Sequence, residues 1–519
     1  MNYRPDEKTA RLWDTWLLEE NGTCHLFFLC MRGTPLWNTI GHARSKDLLH
    51  WETLPFLNTL AAGSDDAASE AWDGSIVLSG SVIKTPQGYA MAYGGENAKI
   101  ERIGMLFSPD LLHWEKHTGN PVLVPQPPYY ESSLQASRRH WVEMRDAFLQ
   151  WRPDLQQYEA LFCARENKPA LGAPGCVGRA LSPDLKTWNL TPPLFAPGRF
   201  NALEMPTRAR IGSRFYLFFH PNKYHDSNLG NSEYPTSWQS AFYAVSPTLD
   251  GPYRWQPDQL LMTADAGCGR VLDFGATKIY VHPVTRTFPF FALPKRIVQA
   301  ADGRLSLAYW SGLDALHKGV YRQSFRDLAG PVQAAPATNV WRIAPDQLQG
   351  GTENQSLVCF PDQVSDFDLR VELGFGTARA AGVCAGMGDD GRGLVVLLDR
   401  KVGELAVCPM KLGPPQRLVL NGDPSIFFAA NSRPGSLTDG LQVYLFRLPA
   451  PPRDTHALRV FARSEGLDVY LDGRHVLCCA PGNRILRGRI GFFLHEGSAW
   501  FQALDIRRLE PEKLAYPLP

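Results

Sequence analysis

The chain has 519 residues, with 53 basic and 52 acidic side chains and a formal net charge of +1. This length predicts two or more domains. The balanced charge argues against nucleic acid or an anionic membrane surface as a partner. The 45 glycines, the 41 prolines and an aromatic content of 11% accompany short apolar runs cut by turns, which favours an all-β fold.

The first residues, 1–8, are polar, no apolar signal-peptide segment follows them, and no apolar run reaches the ~20 residues of a membrane span. The ten cysteines include no Cys-x-x-Cys pair, which argues against a zinc site. We therefore expect a cytoplasmic protein with buried free thiols, no metal and no cofactor. We also expect a monomer or a weak homo-oligomer without nucleic-acid or membrane partners.

A short motif recurs in the first half of the chain. Each copy follows an apolar strand, begins with a serine, continues through a polar turn to a leucine, and has a tryptophan downstream. The copies are Ser45–Trp51, Ser108–Trp114, Ser182–Trp188 and a degenerate one from Ser246 to Trp255. An aspartate in such a turn can accept hydrogen bonds from the backbone that follows it. A repeat with four short strands in each copy is typical of a propeller blade.

A fifth unit follows the four visible copies. Its strand-like segments are 271–275, 288–293 and 304–309. The pattern ends near residue 335, so the sequence predicts a five-bladed β-propeller over residues 1–335.

The alternation of apolar and polar residues changes after a predicted linker at residues 336–350. The segments that follow have the period of two that is typical of strands, and Asp472-Gly473 is a hairpin signal. We therefore predict an antiparallel β-sandwich over residues 351–519. Packing against the propeller is its expected role, and carbohydrate binding is the alternative.

Three acids, Asp14, Asp146 and Glu204, occupy matching places in the repeat. Each precedes a turn and then a strongly apolar strand. The innermost strands of a propeller line its axis, so acids at one phase of blades one, three and four converge on one funnel. Two such carboxyls can cleave a glycosidic bond, at a separation of about 5–5.5 Å with retention or about 6.5–9.5 Å with inversion.

The residues beside these acids suggest how their charges are set. Arg145 would keep Asp146 ionised and oriented, and the apolar Met205-Pro206 would help to keep Glu204 protonated. Four tryptophans could stack on a sugar ring or belong to the core: Trp13, Trp16, Trp37 and Trp72.

Seven short motifs follow one another in a fixed order over residues 10–310. They are Gly41–Glu52, Leu78–Ser81, Asn120–Leu123, Arg145-Asp146, Glu204–Pro206, Leu272–Gly275 and Leu293–Arg296. In order and spacing they resemble the signatures of the invertase and fructanase family of glycoside hydrolases, family 32, whose clan shares a five-bladed propeller. The predicted sandwich is similar to the C-terminal module of that family.

The resemblance implies a role for each matching residue. Asp14 would be the nucleophile, Glu204 the general acid and base, and Asp146 the stabiliser of the transition state. Arg145, Ser79 and Trp37 would line the first sugar subsite, with Asp73 as a neighbour. With Trp13 and Trp72 added as stacking candidates, the predicted substrate-binding residues are Trp13, Trp37, Trp72, Asp73, Ser79 and Arg145.

The chain departs from the family pattern at three places. The nucleophile motif Asn-Asp-Pro-Asn-Gly is replaced by Trp13–Trp16, and Ala147 and Met205 stand where the family has Pro and Cys. The leading hypothesis is a retaining hydrolase of terminal fructofuranosides in small oligosaccharides. The alternatives are a fructosyltransferase, a related arabinofuranosidase or xylosidase that inverts, and a carbohydrate-binding protein without catalysis.

Overall fold

The computed structural model describes residues 3–57, 60, 70–135, 137, 140–221, 240–262, 268–284, 289–328, 340–413, 417–422, 432–463, 466–480 and 486–511. Nearly all regular structure in these ranges is β-strand, and they contain one short helix, the 3-10 helix Ser311–Leu316. None of the described residues forms a helix that is both long and apolar enough to pass through a bilayer. The prediction of an all-β fold is confirmed.

The first four sheets each contain four antiparallel strands in sequence order. The first consists of β1 (Ala10–Glu20), β2 (Thr23–Arg32), β3 (Thr39–Ser45) and β4 (Glu52–Leu57), and the second of β5 (Ile76–Thr85), β6 (Gly88–Asn97), β7 (Ile100–Ser108) and β8 (Glu115–Lys116). The third consists of β9 (Met144–Arg152), β10 (Gln157–Arg165), β11 (Gly175–Ser182) and β12 (Asn189–Phe195), and the fourth of β13 (Glu204–Ile211), β14 (Arg214–His220), β15 (Ala241–Ser246) and β16 (Leu260–Met262).

A fifth four-stranded unit completes the ring. It consists of β17 (Arg270–Phe274), β18 (Thr277–Val281), β21 (Lys295–Gln299) and β22 (Leu305–Tyr309), with the hairpin of β19 (Pro283–Val284) and β20 (Phe290–Phe291) inserted. Strands β1, β5, β9, β13 and β17 contact one another in this order, and β17 contacts β1. These are therefore the innermost strands of a closed propeller. The start of the predicted segment 288–293 lies outside the described residues.

The recurring motif forms the turn that connects the third strand of a blade to the fourth. In the copy of the second blade, Asp110 Oδ1 accepts the amides of Leu112 at 2.9 Å and His113 at 2.8 Å. Leu111 has φ of 68°, and the Trp114 indole donates to its carbonyl at 2.8 Å. His113 binds its own turn aspartate at 2.7 Å, so it has a structural role. The first and third blades repeat the aspartate-to-amide bonds through Asp47 and Asp184.

The last thirteen strands form the sandwich and its junction with the propeller. They are β23 (His317–Arg322), β24 (Val340–Ile343), β25 (Gln347–Cys359), β26 (Phe367–Phe375), β27 (Ala380–Met387), β28 (Arg392–Asp399), β29 (Glu404–Gly413), β30 (Arg417–Leu420), β31 (Tyr444–Arg447), β32 (Thr455–Arg463), β33 (Gly466–Leu471), β34 (Arg474–Cys479) and β35 (Arg489–Leu509). All pair in antiparallel fashion, and an apolar core of buried Leu, Val, Ile and Phe side chains lies between their faces. Asp472-Gly473 forms the predicted hairpin turn, with Leu471 paired to Arg474.

Strand β35 belongs to both faces of the sandwich. Its first part pairs with β27, its second part pairs with β26 and β23, and β25 pairs with both parts. The change of direction falls at Glu496-Gly497, where φ is 44° and 112°. One strand therefore holds the two layers together.

The junction between the two predicted domains contains regular structure. Residues 336–339 of the predicted linker lie outside the described residues, and the remainder contributes β24 and the start of β25. Strand β23, within the range predicted for the propeller, pairs with β35 of the sandwich. The boundaries at residues 335 and 350 stay predictions.

The sandwich packs directly against the propeller. Leu12 of β1 shares an apolar cluster with Phe461 of β32 and Tyr470 of β33. Beside this cluster, Lys295 of β21 pairs with Asp468 of β33 at 2.9 Å, and both side chains are buried.

Candidate active site

The pairing of the first two strands is interrupted at one corresponding place in each of the first four blades. The residues in these β-bulges are Trp13-Asp14 in β1, Ser79 in β5, Asp146-Ala147 in β9 and Met205-Pro206 in β13. A bulge inserts an extra residue and changes the direction of its side chain. The bulges therefore place the predicted site residues together on the axis instead of within the regular alternation of the strands.

Two bulge residues, Asp146 and Met205, have φ of 63° and 49°. This left-handed conformation is uncommon for residues other than glycine and often occurs at functional sites. In this conformation the amide of Met205 donates to Asp146 Oδ2 at 3.1 Å. The bulge of blade four thus holds the acid of blade three.

The carboxyl of Asp14 is held on one side only. Ser79 Oγ donates to its Oδ2 at 2.7 Å. Oδ1 is buried and has no hydrogen-bond partner among the described residues. Burial, followed by the neighbouring charge of Asp146, raises the pKa of Asp14, whereas the Ser79 hydroxyl and the charge of Arg270 oppose that rise. The structure therefore places one oxygen of Asp14 on the Ser79 hydroxyl and leaves the other without a donor among the residues that it describes.

Arg145 connects the acids of blades three and four. Its Nη2 donates to Glu204 Oε1 at 2.8 Å, while its Nε lies 3.5 Å from Asp146 Oδ2. The sequence predicted Asp146 as the partner of Arg145, but the shorter contact is with Glu204. The other oxygen of Glu204, Oε2, accepts from the Cys268 thiol, whose Sγ lies 3.7 Å away.

A further buried carboxyl, Glu101 of β7, holds Arg145 from the other side. Arg145 Nη1 donates to its two oxygens at 3.0 and 3.2 Å. The Trp141 indole donates to Glu101 at 2.7 Å, and the amide of Met144 donates at 3.0 Å. Burial raises the pKa of Glu101 to about 7, although Arg145 opposes the change.

Burial and neighbouring charges raise the pKa of both aspartates. Burial is the largest cause that raises the pKa of Asp146, and the charge of Glu204 adds to it, while Arg145 and the amide of Met205 oppose it. Asp146 and Glu204 in turn both raise the pKa of Asp14. Buried like charges that interact share protons. These effects favour a proton within the cluster, which a site with both an acid and a nucleophile requires.

The predicted tryptophans fall into three environments. Trp13 and Trp37 are half-buried with ring centroids 5.8 Å apart, and Trp13 directly precedes Asp14. Trp16 is buried and stacks on Phe27, so it belongs to the core. Trp72 packs against Tyr93 of the second blade, with ring centroids 5.3 Å apart.

Asp73 is also held within the second blade. It accepts from the Tyr93 hydroxyl at 2.8 Å and pairs with Lys116 at 2.7 Å. In the described residues, Asp73 and Trp72 contact side chains of their own blade and not the three acids. Their role in sugar binding stays a prediction.

Sequence reasoning missed Glu101, Cys268 and Arg270. Each lies in or beside a strand of small and apolar residues, and a charged residue inside such a strand is the signal that could have identified Glu101 and Arg270. In the part of the chain that the structure describes, no group of three or more His, Cys, Asp or Glu side chains is arranged to hold a metal ion. The expectation of no metal and no cofactor stays a prediction.

Comparisons with known proteins agree with this architecture. The model of the glycosyl hydrolases family 32 N-terminal domain matches residues 16–245, a range that begins just after Asp14. An acid beta-fructofuranosidase from a Rosa hybrid cultivar is 30% identical over 141 residues, which are 24% of this chain and 23% of that protein. One from Solanum lycopersicum is 34% identical over 127 residues, 22% of this chain and 19% of that protein. The matched stretch thus spans about a fifth of the length of these curated relatives.

Solved structures share the fold over almost the whole chain. The Bombyx mori GH32 beta-fructofuranosidase superposes with a TM-score of 0.64 at 15% identity, covering 99% of this chain and 95% of that one. The sucrose-6-phosphate hydrolase from Lactobacillus gasseri gives 0.63 at 15% identity, with 97% and 93% covered. The exo-inulinase from Aspergillus awamori gives 0.62 at 15% identity, with 99% and 100% covered.

Fold and site together define a class of protein: a β-propeller joined to a β-sandwich, with a cluster of carboxyls on the propeller axis. Within this class, residues 16–245 match the glycosyl hydrolases family 32 N-terminal domain, and the sequence motifs resemble the signatures of that family.

Proposed function

We propose that this protein is a retaining glycoside hydrolase that releases fructose from the ends of small oligosaccharides. The observation that carries the proposal is the placement of three acids on the innermost strands of three blades, with Ser79 bonded to Asp14 and Arg145 bonded to Glu204 beside Asp146. The match of residues 16–245 to the family 32 N-terminal domain supports the reaction class. The half-buried pair of Trp13 and Trp37 beside Asp14 would supply an apolar wall for the sugar.

The chemistry would proceed by two displacements at the anomeric carbon, C2 of the fructosyl group. Oδ1 of ionised Asp14 attacks C2, the bond from C2 to the leaving oxygen breaks, and Glu204 gives its proton to that oxygen. Water then attacks C2, Glu204 takes back a proton from it, and the bond to Asp14 breaks. Asp146 would bind ring hydroxyls and stabilise the positive charge that develops at C2.

Small fructosides are the proposed substrates because relatives with this fold have been seen with such ligands. A variant of the Bombyx mori beta-fructofuranosidase was solved with sucrose, and the fructofuranosidase of Schwanniomyces occidentalis with fructose and, as a variant, with fructosylnystose. Because the sequence around Asp14 departs from the family motif, assays should include oligosaccharide substrates of several lengths.

The proposal is tested by measuring fructose release from sucrose, an inulin-type trisaccharide and a levan-type oligosaccharide. Asp14→Asn and Glu204→Gln should each lower kcat by about 10³-fold or more, because each removes a group that reacts directly. Trp16→Phe, at a buried core position of the same strand, is the control and should retain most activity.

Stereochemistry separates this proposal from its alternatives. With methanol present, retention gives the methyl β-fructofuranoside, and inversion would give no β-product. Release of arabinose or xylose instead of fructose would overturn the substrate assignment. Sugar binding without any product from these fructosides or furanosides would overturn the proposed reaction itself.

We further propose that the protein works as a monomer in the cytoplasm. All ten cysteines are buried and in the thiol form, which supports a reducing compartment. Thiol titration of protein that was purified and unfolded without reductant should give ten thiols. Light scattering should give the mass of a monomer. Disulfides or a stable dimer would contradict it.

A further inference from the structure

A buried arginine, Arg270 at the start of β17, lies beneath the three acids. Its Nη1 donates to the carbonyl of Pro206 and to the Thr207 hydroxyl, each at 2.6 Å. Its Nη2 donates to the carbonyl of Gly80 at 3.0 Å. One guanidinium from the fifth blade is therefore bonded to the innermost strands of the second and fourth blades. No family motif quoted above assigns this residue a role.

The groups that Arg270 binds are next in the chain to groups that hold the acids. Gly80 follows Ser79, which donates to Asp14. Pro206 follows Met205, which donates to Asp146, and Met205 follows Glu204. Arg270 thus fixes the segment that orients Asp14 relative to the segment that carries Glu204.

The charge of Arg270 complements the acids as well. It opposes the rise in the pKa of both Asp14 and Asp146. Burial lowers the pKa of Arg270 itself to about 10, which the two aspartates oppose, so the guanidinium remains charged at neutral pH. A planar guanidinium with several donors can bond to two strands at once, which a lysine ammonium on one flexible stem does less well.

We propose that Arg270 is a positioning residue, whose guanidinium sets the relative placement of the three acids and balances the charge of the two aspartates. This inference rests on the proposed function. It assigns the fifth blade a direct part in the site, although that blade contributes none of the three acids.

The test compares Arg270→Met and Arg270→Lys with the wild-type protein. Arg270→Met should lower kcat by about 10²-fold with little change in KM, because the acids are displaced while the sugar contacts remain. The acid limb of the pH profile of kcat/KM should move to higher pH, since Asp14 loses a nearby positive charge and must still be ionised to react. Arg270→Lys should restore the position of that limb more than it restores kcat.

Arg152→Met is the matched control. Arg152 is equally buried, lies at the end of β9, and binds Glu159 and Asp250 away from the site. This variant should lose stability and leave the pH profile unchanged. A wild-type profile and kcat in Arg270→Met, or equal shifts in Arg152→Met, would overturn the assignment. If Arg270→Met does not fold, Arg270→Lys decides alone: a kcat within about 2-fold of the wild-type value overturns the positioning role.

A readout without turnover keeps this inference separate from the proposed function. Infrared titration of the protonated-carboxyl band should show more protonated acid at neutral pH in Arg270→Met than in the wild type. If the wild type releases no sugar, the proposed function fails, while this band still tests the effect of Arg270 on the acids. An identical band in both proteins would contradict the charge-balancing role.

Discussion

The Ser79 hydroxyl is the one described donor to the carboxyl of Asp14. A hydrogen bond to a charged group contributes ~1.5–3 kcal/mol, and one pKa unit corresponds to about 1.4 kcal/mol. Because Ser79 is buried, water does not replace this bond freely. The hydroxyl therefore favours the anion of Asp14 against the burial and repulsion that raise its pKa.

Ser79→Ala should move the acid limb of the kcat/KM profile to higher pH by about one to two units. The sign follows from Asp14, which loses a hydrogen bond that its charged form accepts more strongly than its neutral form, and so ionises at higher pH. Rates measured from pH 4 to 8 on the best fructoside would show the shift. Ser81→Ala is the control, because its oxygen accepts the amide of Leu149 and contacts no acid. An unmoved limb in Ser79→Ala would contradict the role of the hydroxyl.

The sequence predicted the three acids as neighbours because they share one phase of a repeat. Ser79 was predicted through the family resemblance, and Arg145 through its place beside Asp146. The sequence did not identify Glu101 or Arg270, since each acts through a hydrogen bond to a group from another blade. Such contacts depend on how the blades pack against one another around the axis. A single sequence contains no local pattern that predicts this packing. The shorter contact of Arg145 with Glu204 than with Asp146 also depends on the packing of two blades, so the sequence did not predict it.

Among the strands, the repeated turn between the third and fourth strand of a blade is the most regular local feature. Its aspartate binds two amides that point into the turn and would otherwise lack a protein partner. The leucine that follows the aspartate adopts positive φ, at 62°, 68° and 65° in Leu48, Leu111 and Leu185. The aspartate bonds thus stabilise a conformation that leucine rarely adopts.

Asp110→Ala should lower the thermal midpoint of the propeller by ~2–4 °C, because the loss of a cap of this kind costs about 1 kcal/mol. Asp110→Asn keeps an oxygen that can accept both amides and should lose less than half as much. Differential scanning calorimetry of both variants measures the difference. Equal losses would show that the charge, and not the acceptor, stabilises the turn.

The strand pattern predicted the blades because alternation and turn residues are local properties. It did not predict the bulges at Asp14, Asp146 and Met205, because a bulge is a mismatch between two strands and cannot be seen in either one. Glu204 is the first residue of β13, whereas Asp14 lies well inside β1, so the three acids do not share one position in their strands.

Between the propeller and the sandwich, the ion pair of Lys295 and Asp468 is buried on both sides. Lys295 also donates to the carbonyl of Leu293 at 2.8 Å, and His475 lies 2.8 Å from Asp468. Burial alone would raise the pKa of Asp468, but Lys295 and His475 hold it well below its usual range. A charge that is buried with its partners is costly to leave unpaired.

Lys295→Met should therefore destabilise the protein by ~3–5 kcal/mol at neutral pH. Asp468 has a lowered pKa in the folded state, so its contribution is present above its unfolded pKa of about 4 and is lost as the pH falls further. The difference in the free energy of unfolding between the variant and the wild type should accordingly decrease at acid pH, because Asp468 of the variant can take up a proton there. Urea unfolding from pH 3 to 8 measures this.

The double variant Lys295→Met with Asp468→Leu distinguishes the contribution of the ion pair to stability from the contribution of the packing around it. Removing both charges should recover much of the stability that the single variant loses. A single variant as stable as the wild type, or a difference that increases at acid pH, would show that the ion pair does not hold the two domains together.

The course of β35 has a consequence for biosynthesis. All five propeller units precede residue 310, whereas β23, β25, β26 and β27 each need β35 as a neighbour. A ribosome adding 5–20 residues each second, as is typical, would release the propeller units some ten seconds or more before residue 509 emerges. During that interval the nascent sandwich has no completed layer, and the unpaired edges of β25 and β26 are the segments on which a chaperone would be expected to act.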